Sequence, residues 1–334
     1  MLKLDAALAP ALLQDVPGLA AAAEALGFDT VWTSETQHDP FLPLALVAEH
    51  TTTLGFGTAV AIGFARSPTV LAHTAWDLAA ASGGRLRLGL GTQVRPHVER
   101  RFGLPWPASP SGAMREYIQA LRAVWRTWQT GERLNYRGDV YRLTLMTPFF
   151  SPAPIGHPSI PIYLAGVNRG LIRLAGECAD GLHVHPLHSA RYLRETVQAS
   201  LREGAEHAGR DPAAVDVSVS VFVVTETAEA DFVRSQIAFY ASTPSYRPVL
   251  ELHGWSEVAD RLSGLARHAA WADMPALIDE EMLRTFAVVA EAEALPQALN
   301  ERYHGLANRL TLYQPFRPGE RDAFWRHLAQ GLAR

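Results

Sequence analysis

Ionisable residues follow two apolar, strand-like segments of the chain and could do chemistry there. His38 and Asp39 stand in a loop-like segment, where a histidine beside a carboxylate could exchange a proton with a substrate or simply face solvent. His183 and His185 form a His-x-His pair, a spacing that could bind a metal ion or contact a cofactor. Cys178 lies in an apolar helical segment, which favours a packing role, and the chain has no Gly-x-Ser-x-Gly elbow. These residues indicate that a bound cofactor supplies the reactive group.

Small residues mark three further segments. Ala59 and Val60 stand in a run of small residues that would let the backbone approach a flat ligand closely, although buried strands look similar. Gly91, Thr92 and Gln93 end a segment that resembles a dinucleotide glycine motif but lacks a third glycine opening a helix, which argues against a Rossmann fold. Gly166-Val167-Asn168 opens directly into a helix. Its free N–H groups could hold a cofactor phosphate, or the segment is an ordinary tight turn.

The elements that must position these residues alternate between strands and helices. Eight segments are predicted to be strands: Leu2–Leu8, Asp29–Thr33, Thr53–Ile62, Leu86–Gly91, Ile160–Ala165, Gly181–His185, Asp216–Thr225 and Leu310–Tyr313. Helical periodicity lies between them, and this alternation predicts a parallel sheet. Eight such units predict an α/β fold, a (β/α)8 TIM barrel, whose functional groups gather in the loops after the strands.

Two insertions into the barrel are predicted. After strand four, Gln93–Gly112 is rich in Pro, Arg and Gly and indicates a long loop, and Leu134–Leu143 resembles a hairpin. After strand seven, a mostly helical insertion is predicted at about 242–295. Because no linker divides the chain, we expect residues 1–334 to form a single domain.

The composition excludes several classes of function. With 48% apolar and 19% charged residues and a net charge of −4, the chain has the composition of a soluble globular protein and no basic tract for nucleic acid. No segment approaches the ~18 apolar residues of a membrane span. A single cysteine and a start that lacks signal-peptide character predict a cytoplasmic location. The only lysine, Lys3, begins the first strand, which argues against Schiff-base chemistry.

Four segments, in this order and spacing, resemble the bacterial luciferase-like superfamily, specifically its F420-dependent oxidoreductases. They are Gly27–Trp32, Arg66–Gly91, Pro161–Gly166 and Ala179–Gly181, within about the first 190 residues. The resemblance implies F420 as the cofactor, with FMN as the alternative. It also implies a homodimer and a flavin or F420 reductase that supplies reduced cofactor.

The resemblance also implies where the cofactor binds. It places a non-proline cis peptide at Ala59-Val60, behind the central ring of the cofactor. The implied contacts beyond that peptide are Gly91, Thr92 and Gln93 beside the ring, Gly166, Val167 and Asn168 on the phosphate side, and His183 and His185 nearby.

The implied reaction moves a hydride between the deazaflavin and a small organic substrate, with His38 as proton donor or acceptor assisted by Asp39. The superfamily's sugar-phosphate and alcohol dehydrogenases place a histidine beside an acidic residue in this loop and a glutamate after strand four. Here Thr36 follows Glu35, and Gln93-Val94 replaces the glutamate. These departures favour reduction of an activated C=C or C=N bond.

Three alternatives stay open. The first is an FMN-dependent two-component monooxygenase on the same barrel. The second is a metal-dependent barrel hydrolase that uses His183 and His185, although strand one has no histidine and strand eight does not end in a carboxylate. The third is a barrel that binds the cofactor without catalysis.

Overall fold

Eight parallel strands close into a barrel in the computed structural model, which describes residues 2–8 and 12–333. The strands are β1 (Lys3–Ala7), β2 (Thr30–Thr33), β3 (Gly55–Thr58), β4 (Leu86–Gly91), β5 (Ile162–Ala165), β6 (Gly181–Val184), β7 (Asp216–Val224) and β8 (Arg309–Leu312). Each pairs with the next, and β8 pairs with β1 to close the ring. The predicted TIM-barrel fold is confirmed. Met1 and Arg334, the ends of the predicted domain, lie outside the described residues.

Helices surround the barrel or lie over its ends. They are α1 (Val16–Leu26), α2 (Leu42–His50), α3 (Pro68–Ala81), α4 (Arg95–Arg100), α5 (Pro110–Thr130), α6 (Arg169–Cys178), α7 (Ala190–Tyr192), α8 (Gln198–His207), α9 (Thr227–Ala241), α10 (Arg247–Glu251), α11 (Ser256–Arg267), α12 (Glu280–Phe286), α13 (Leu295–Tyr303) and α14 (Asp322–Leu332). A π-helical segment, Leu193–Val197, joins α7 to α8. None of the helices described is long and apolar enough to cross a membrane.

Local signals explain where several helices begin and end. Gly27 ends α1 with a φ of +88°, a conformation that glycine adopts without steric cost. Pro68 and Pro110 stand in the first turns of α3 and α5, where a missing N–H costs nothing. The side chains of Glu226 and Glu229 form a capping box at the start of α9.

Large aromatic side chains fit inside the barrel because glycines in the neighbouring strands leave room for their rings. A Cβ on Gly57 would lie 2.7 Å from the Trp32 ring, and one on Gly181 would lie 2.4 Å from the Tyr163 ring. Both distances are too short for a real carbon contact. The aromatic residues of β2 and β5 therefore depend on glycine in the neighbouring strands β3 and β6.

A buried ion pair joins the strands at which the barrel closes. Arg309 of β8 and Asp5 of β1 have no exposed side-chain surface, and the guanidinium donates to the carboxylate at 2.7 and 2.8 Å. Asp5 also accepts a hydrogen bond of 2.9 Å from Trp32 Nε1, and Asp29 accepts another from Arg309. Burial lowers the pKa of Arg309, but the carboxylates of Asp5 and Asp29 outweigh it and raise that pKa above its usual value, so the guanidinium stays charged.

Two segments differ in detail from the prediction, and a third matches it. The predicted strand Thr53–Ile62 is broken into β3 and a short strand, Ala61–Ile62. The predicted loop Gln93–Gly112 contains α4, which Val94 precedes in extended conformation. Tyr136–Arg137 and Arg142–Leu143 form the expected hairpin.

The segment predicted as a helical insertion contains α10, α11 and α12, but also a strand. Ala287–Val289 pairs in parallel with the end of β7. Helix α9, which directly follows β7, packs against α11 and α12, and Tyr240 in its last turn contacts residues that follow β6 and β8. The last turn of α9 therefore lies at the C-terminal mouth of the barrel. The helix that directly precedes β8 is α13.

Candidate functional site

A bulge follows β3 at the mouth of the barrel. The peptide bond between Ala59 and Val60 is cis, as the resemblance implies. These two residues are partly exposed, whereas β3 before them and Ala61–Ile62 after them are buried. A Cβ on Gly91 of β4 would lie 2.7 Å from Val60 Cγ2. The bulge therefore packs closely on β4 and presents Ala59 and Val60 to the mouth.

Glu35 anchors the loop after β2 to this bulge. Its backbone N–H donates to Val60 O at 3.3 Å, and its carboxylate accepts from Ile62 N–H at 2.7 Å and from Arg66 at 2.6 Å. Only 8% of the Glu35 side chain is exposed, so this is a largely buried ion pair. This role of Glu35 is not evident from the sequence, because its partners lie 27 and 31 residues away along the chain.

His38 and Asp39 occupy different environments within this loop. One oxygen of Asp39 accepts from the N–H groups of Phe41 and Leu42 at 2.8 and 3.1 Å, and the other lies 3.4 Å from Arg66. His38 is exposed, and its ring forms no hydrogen bond with any residue the structure describes. Asp39 therefore anchors the loop that carries His38.

Gly91, Thr92 and Gln93 end β4 with an unusual backbone conformation. Gln93 has a φ of +58°, in the left-handed region that residues with a side chain rarely adopt. Its side-chain oxygen accepts from Val94 N–H at 2.9 Å, and Thr92 Oγ1 donates to its carbonyl at 3.0 Å. Both Thr92 and Gln93 are partly exposed. Such local strain is often found where a chain contacts a ligand.

Gly166, Val167 and Asn168 lead from β5 into α6. Asn168 Oδ1 caps the helix by accepting from Leu171 N–H at 3.0 Å, and the Tyr192 hydroxyl donates to Val167 O. A Cβ on Gly166 would lie 3.1 Å from Leu171 Cβ, so this turn is tightly packed. The first N–H groups of a helix carry partial positive charge, so this turn could bind an anion.

His183 projects into the barrel below the mouth. Its ring lies 4.7 Å from the Trp32 ring and 5.1 Å from the Tyr163 ring. Its Nε2 is buried and has no hydrogen-bond partner among the described residues. Burial, with a smaller effect of Arg309, lowers the pKa of His183 to about 3. His183 is therefore a neutral polar group at physiological pH.

His185 belongs to a separate aromatic cluster. Its ring stacks on Tyr246 at 4.2 Å and meets the edge of Tyr240 at 4.4 Å, and its Nδ1 accepts from Leu187 N–H at 3.1 Å. Burial lowers the pKa of His185 to about 3. His183 and His185 thus contact different residues. Within residues 2–8 and 12–333, no group of three or more His, Cys, Asp or Glu could hold a metal ion, so nothing in this geometry favours the hydrolase alternative.

Hydroxyl groups extend this cluster toward β8. The hydroxyls of Tyr240 and Tyr313 are 2.6 Å apart, and Tyr313 donates to Gln236 Oε1 at 3.2 Å. Tyr240, Tyr313 and Gln236 were not predicted from the sequence as site residues. They come together because α9 stays at the mouth, and no local pattern in the sequence indicates that course.

Comparison with known proteins identifies the family. The model of the family described as luciferase-like monooxygenase matches residues 4–309. The chain belongs to the luciferase-like monooxygenase family. It is 45% identical over 315 residues to the protein Rv1360 of Mycobacterium tuberculosis, with 92% of each chain covered. It is 26% identical over 307 residues to the 5,10-methylenetetrahydromethanopterin reductase of Methanolobus tindarius, with 90% of each covered.

A solved structure shares the fold of this luciferase-like chain. The coenzyme F420 dependent tetrahydromethanopterin reductase from Methanopyrus kandleri matches with a TM-score of 0.80 at 20% identity, covering 99% of this chain and 98% of that one. The predicted assignment to the luciferase-like oxidoreductases is thus confirmed, and the protein is an enzyme of that class.

In this luciferase-like enzyme, direct contacts join two pairs of the predicted site residues. Val60 packs on Gly91, and Gly166 N–H approaches His183 O at 3.4 Å. All of these residues follow or end strands at the C-terminal end of the barrel, the end at which such barrels carry their active sites. His38 reaches the same end through its anchored loop but forms no hydrogen bond with the other side chains among the described residues.

Proposed function

We propose that this enzyme transfers a hydride between the deazaflavin F420 and a small organic substrate, and that it reduces an activated C=C or C=N bond. The observation that carries the proposal is the bulge at Ala59-Val60, packed on Gly91 with no room for a side chain there. A relative named as a methylenetetrahydromethanopterin reductase supports the reductive direction.

The residues at the mouth fit a flat cofactor with an anionic tail. Ala59, Val60, Gly91, Thr92 and Gln93 would contact the ring, because they offer small or partly exposed surfaces at the ends of β3 and β4. The turn before α6 would hold the phosphate through its N–H groups. When bound, F420 supplies a carbon centre that donates or accepts a hydride.

His183 would contact the cofactor from inside the barrel. Its Nε2 is buried without a partner among the described residues, and a Cβ on Gly89 would lie 2.9 Å from that nitrogen. Because its pKa is lowered to about 3, the ring stays neutral and forms hydrogen bonds without adding charge. Its role in this proposal is to orient the ring and not to transfer protons.

His38 would exchange the proton that accompanies hydride transfer. Its exposure gives it access to water, and the bonds of Glu35 and Asp39 to Arg66 hold the loop that carries it. A single general acid matches a reduction in which the substrate gains one hydride and one proton.

Cofactor titration tests the proposal. The purified protein, freed of cofactor, is titrated with F420 and with FMN by fluorescence, and oxygen consumption is followed with each reduced cofactor. We expect saturable binding of F420, weaker binding of FMN and no oxygen uptake. Tighter binding of FMN with oxygen uptake would contradict the proposal and support the two-component monooxygenase.

The expected assembly also stays a prediction. A homodimer, a single domain across the chain and a reductase that supplies reduced cofactor follow from the resemblance and the sequence. Sedimentation of the purified protein with and without F420 tests the dimer directly.

A further inference from the structure

We propose that His185, Tyr240, Tyr246 and Tyr313 form the substrate-binding wall of the mouth, and that Nε2–H of His185 binds an acceptor atom of an uncharged, planar substrate. This inference rests on the proposed function and deepens it, because it names the substrate class of the same site. We refer to these four residues as the aromatic wall.

The aromatic wall lies across the mouth from the bulge. Its residues follow β6, β7 and β8, and in a closed ring of eight strands β7 is opposite β3. Ala59 and Val60 follow β3, so the part of the proposed cofactor surface that they form lies on the opposite side of the mouth from the wall. All four wall residues are partly exposed, so they are available to a ligand.

The proton on His185 has a defined position. Leu187 N–H can only donate, so His185 Nδ1 at 3.1 Å must accept. The neutral ring therefore carries its proton on Nε2. Burial holds the pKa of His185 at about 3, so this donor is uncharged throughout the physiological range. Stacking on Tyr246 at 4.2 Å fixes the plane of the ring.

Two of the three hydroxyls of the wall, those of Tyr240 and Tyr313, are already committed. Tyr313 donates to Gln236 Oε1 at 3.2 Å, so Tyr240 must donate to Tyr313 across the 2.6 Å contact. What remains for a ligand is the His185 N–H, the Tyr246 hydroxyl and the faces of the tyrosine rings.

The wall carries no charge that would pair with a charged ligand. Among the described residues, no charged side chain forms an ion pair or hydrogen bond with any of the four. A cation held there would lack a carboxylate and an anion would lack a guanidinium, and unpaired charges are costly to bury. An uncharged planar group with a carbonyl or imine acceptor satisfies the donor and stacks on the rings.

The test compares two amide variants in the F420-loaded enzyme. His185→Asn keeps an acceptor near the position of Nδ1 and deletes the Nε2 donor, whereas His185→Gln keeps a donor near Nε2 and deletes the loop acceptor. The probes are cinnamamide, cinnamate and cinnamylammonium, which share one planar framework but differ in charge. Binding is measured by calorimetry, and thermal unfolding is recorded for each variant.

We expect wild-type enzyme to bind cinnamamide most tightly. His185→Asn should weaken that binding about tenfold, the effect of losing one hydrogen bond, with little change in melting temperature. His185→Gln should retain the binding to within roughly threefold but melt at a lower temperature. His268→Asn, a change of an exposed histidine on the outer surface, is the control and should alter neither.

Three results would overturn the inference: no saturable binding of cinnamamide, equal or tighter binding of cinnamylammonium, or equal binding by the Asn and Gln variants. F420 affinity is measured separately on every variant. If the wild-type enzyme prefers FMN, the proposed function fails, and the same probe titration on the FMN-loaded enzyme still decides the role of the wall.

Discussion

Gly91→Ala tests whether the bulge supports the cofactor. The new Cβ would lie 2.7 Å from Val60 Cγ2, whereas carbon atoms prefer separations of about 3.5–4.0 Å, so Val60 must move by roughly 1 Å. Overpacking of this kind costs about 1–3 kcal/mol. For 334 residues the unfolding entropy is about 0.7 kcal/mol/K, so the melting temperature should fall by roughly 1.5–4 °C.

Removing the Val60 methyl that the new Cβ would overlap should restore the stability that Gly91→Ala loses. In Gly91→Ala/Val60→Ala the new methyl lies 3.7 Å from the Cβ that position 60 retains and 3.9 Å from Ala165 Cβ, and both are ordinary contacts. We therefore expect the double variant to regain most of the stability lost by Gly91→Ala. Gly18→Ala is the matched control, because a Cβ there meets nothing within 4 Å and the change should be neutral or slightly stabilising.

The same four proteins are assayed for cofactor binding by fluorescence titration with F420. Displacement of Val60 toward the mouth should weaken F420 binding by about tenfold or more, the equivalent of about 1.4 kcal/mol. The Gly18→Ala enzyme should bind as the wild type does. If Gly91→Ala lowers the melting temperature but leaves F420 affinity unchanged, the bulge does not contact the ring and the assignment is refuted.

Other predictions follow from the buried polar groups and the strained backbone. Arg309→Met leaves Asp5 buried without its partner and should lower the free energy of unfolding in urea by about 3–5 kcal/mol, and adding Asp5→Asn should recover part of that loss. Burial lowers the pKa of His188 from 6.5 to about 4. The stability that depends on a neutral His188 is therefore complete above pH 6.5 and is lost as the pH falls toward 4. His188→Gln should reduce the pH dependence of the free energy of unfolding in that window by about 1 kcal/mol per pH unit. Gln93→Val should lower stability by about 1–2 kcal/mol because a β-branched residue fits a φ of +58° poorly, whereas Gln93→Asn should be tolerated; equal melting temperatures would show that this φ is not maintained.

Sequence patterns predicted the strands of the barrel closely because each is a short apolar run bounded by Gly, Pro or polar residues. Seven predicted strands match the observed bounds to within two residues at each end. The exception is Thr53–Ile62, which the bulge divides, since an apolar run continues across a break that only the backbone conformation reveals. The family resemblance located that break at Ala59-Val60 where periodicity alone did not.

Contacts between segments that are far apart along the chain could not be predicted from the sequence. Arg309 and Asp5 are 304 residues apart, and their types alone match solvated surface charges as well as a buried pair. Helix α9 has the length and position of an ordinary barrel helix, so its course over the mouth was not predicted. The strand Ala287–Val289 has only three residues and directly follows α12, so its pattern continues that helix.

The two histidines at the end of β6 show why spacing alone does not assign a site. In a strand, residues two apart point to the same side, so His183 and His185 should converge and could share a metal ion. β6 ends at Val184, however, and only His183 stays within it, between Trp32 and Tyr163. His185 lies beyond the strand end, where the tyrosines of α9 and its following turn surround it. His183 therefore lies inside the barrel and His185 lies at its mouth. Both are neutral, so these two residues offer hydrogen bonds without fixed charge, which suits the proposed hydride transfer to an uncharged substrate.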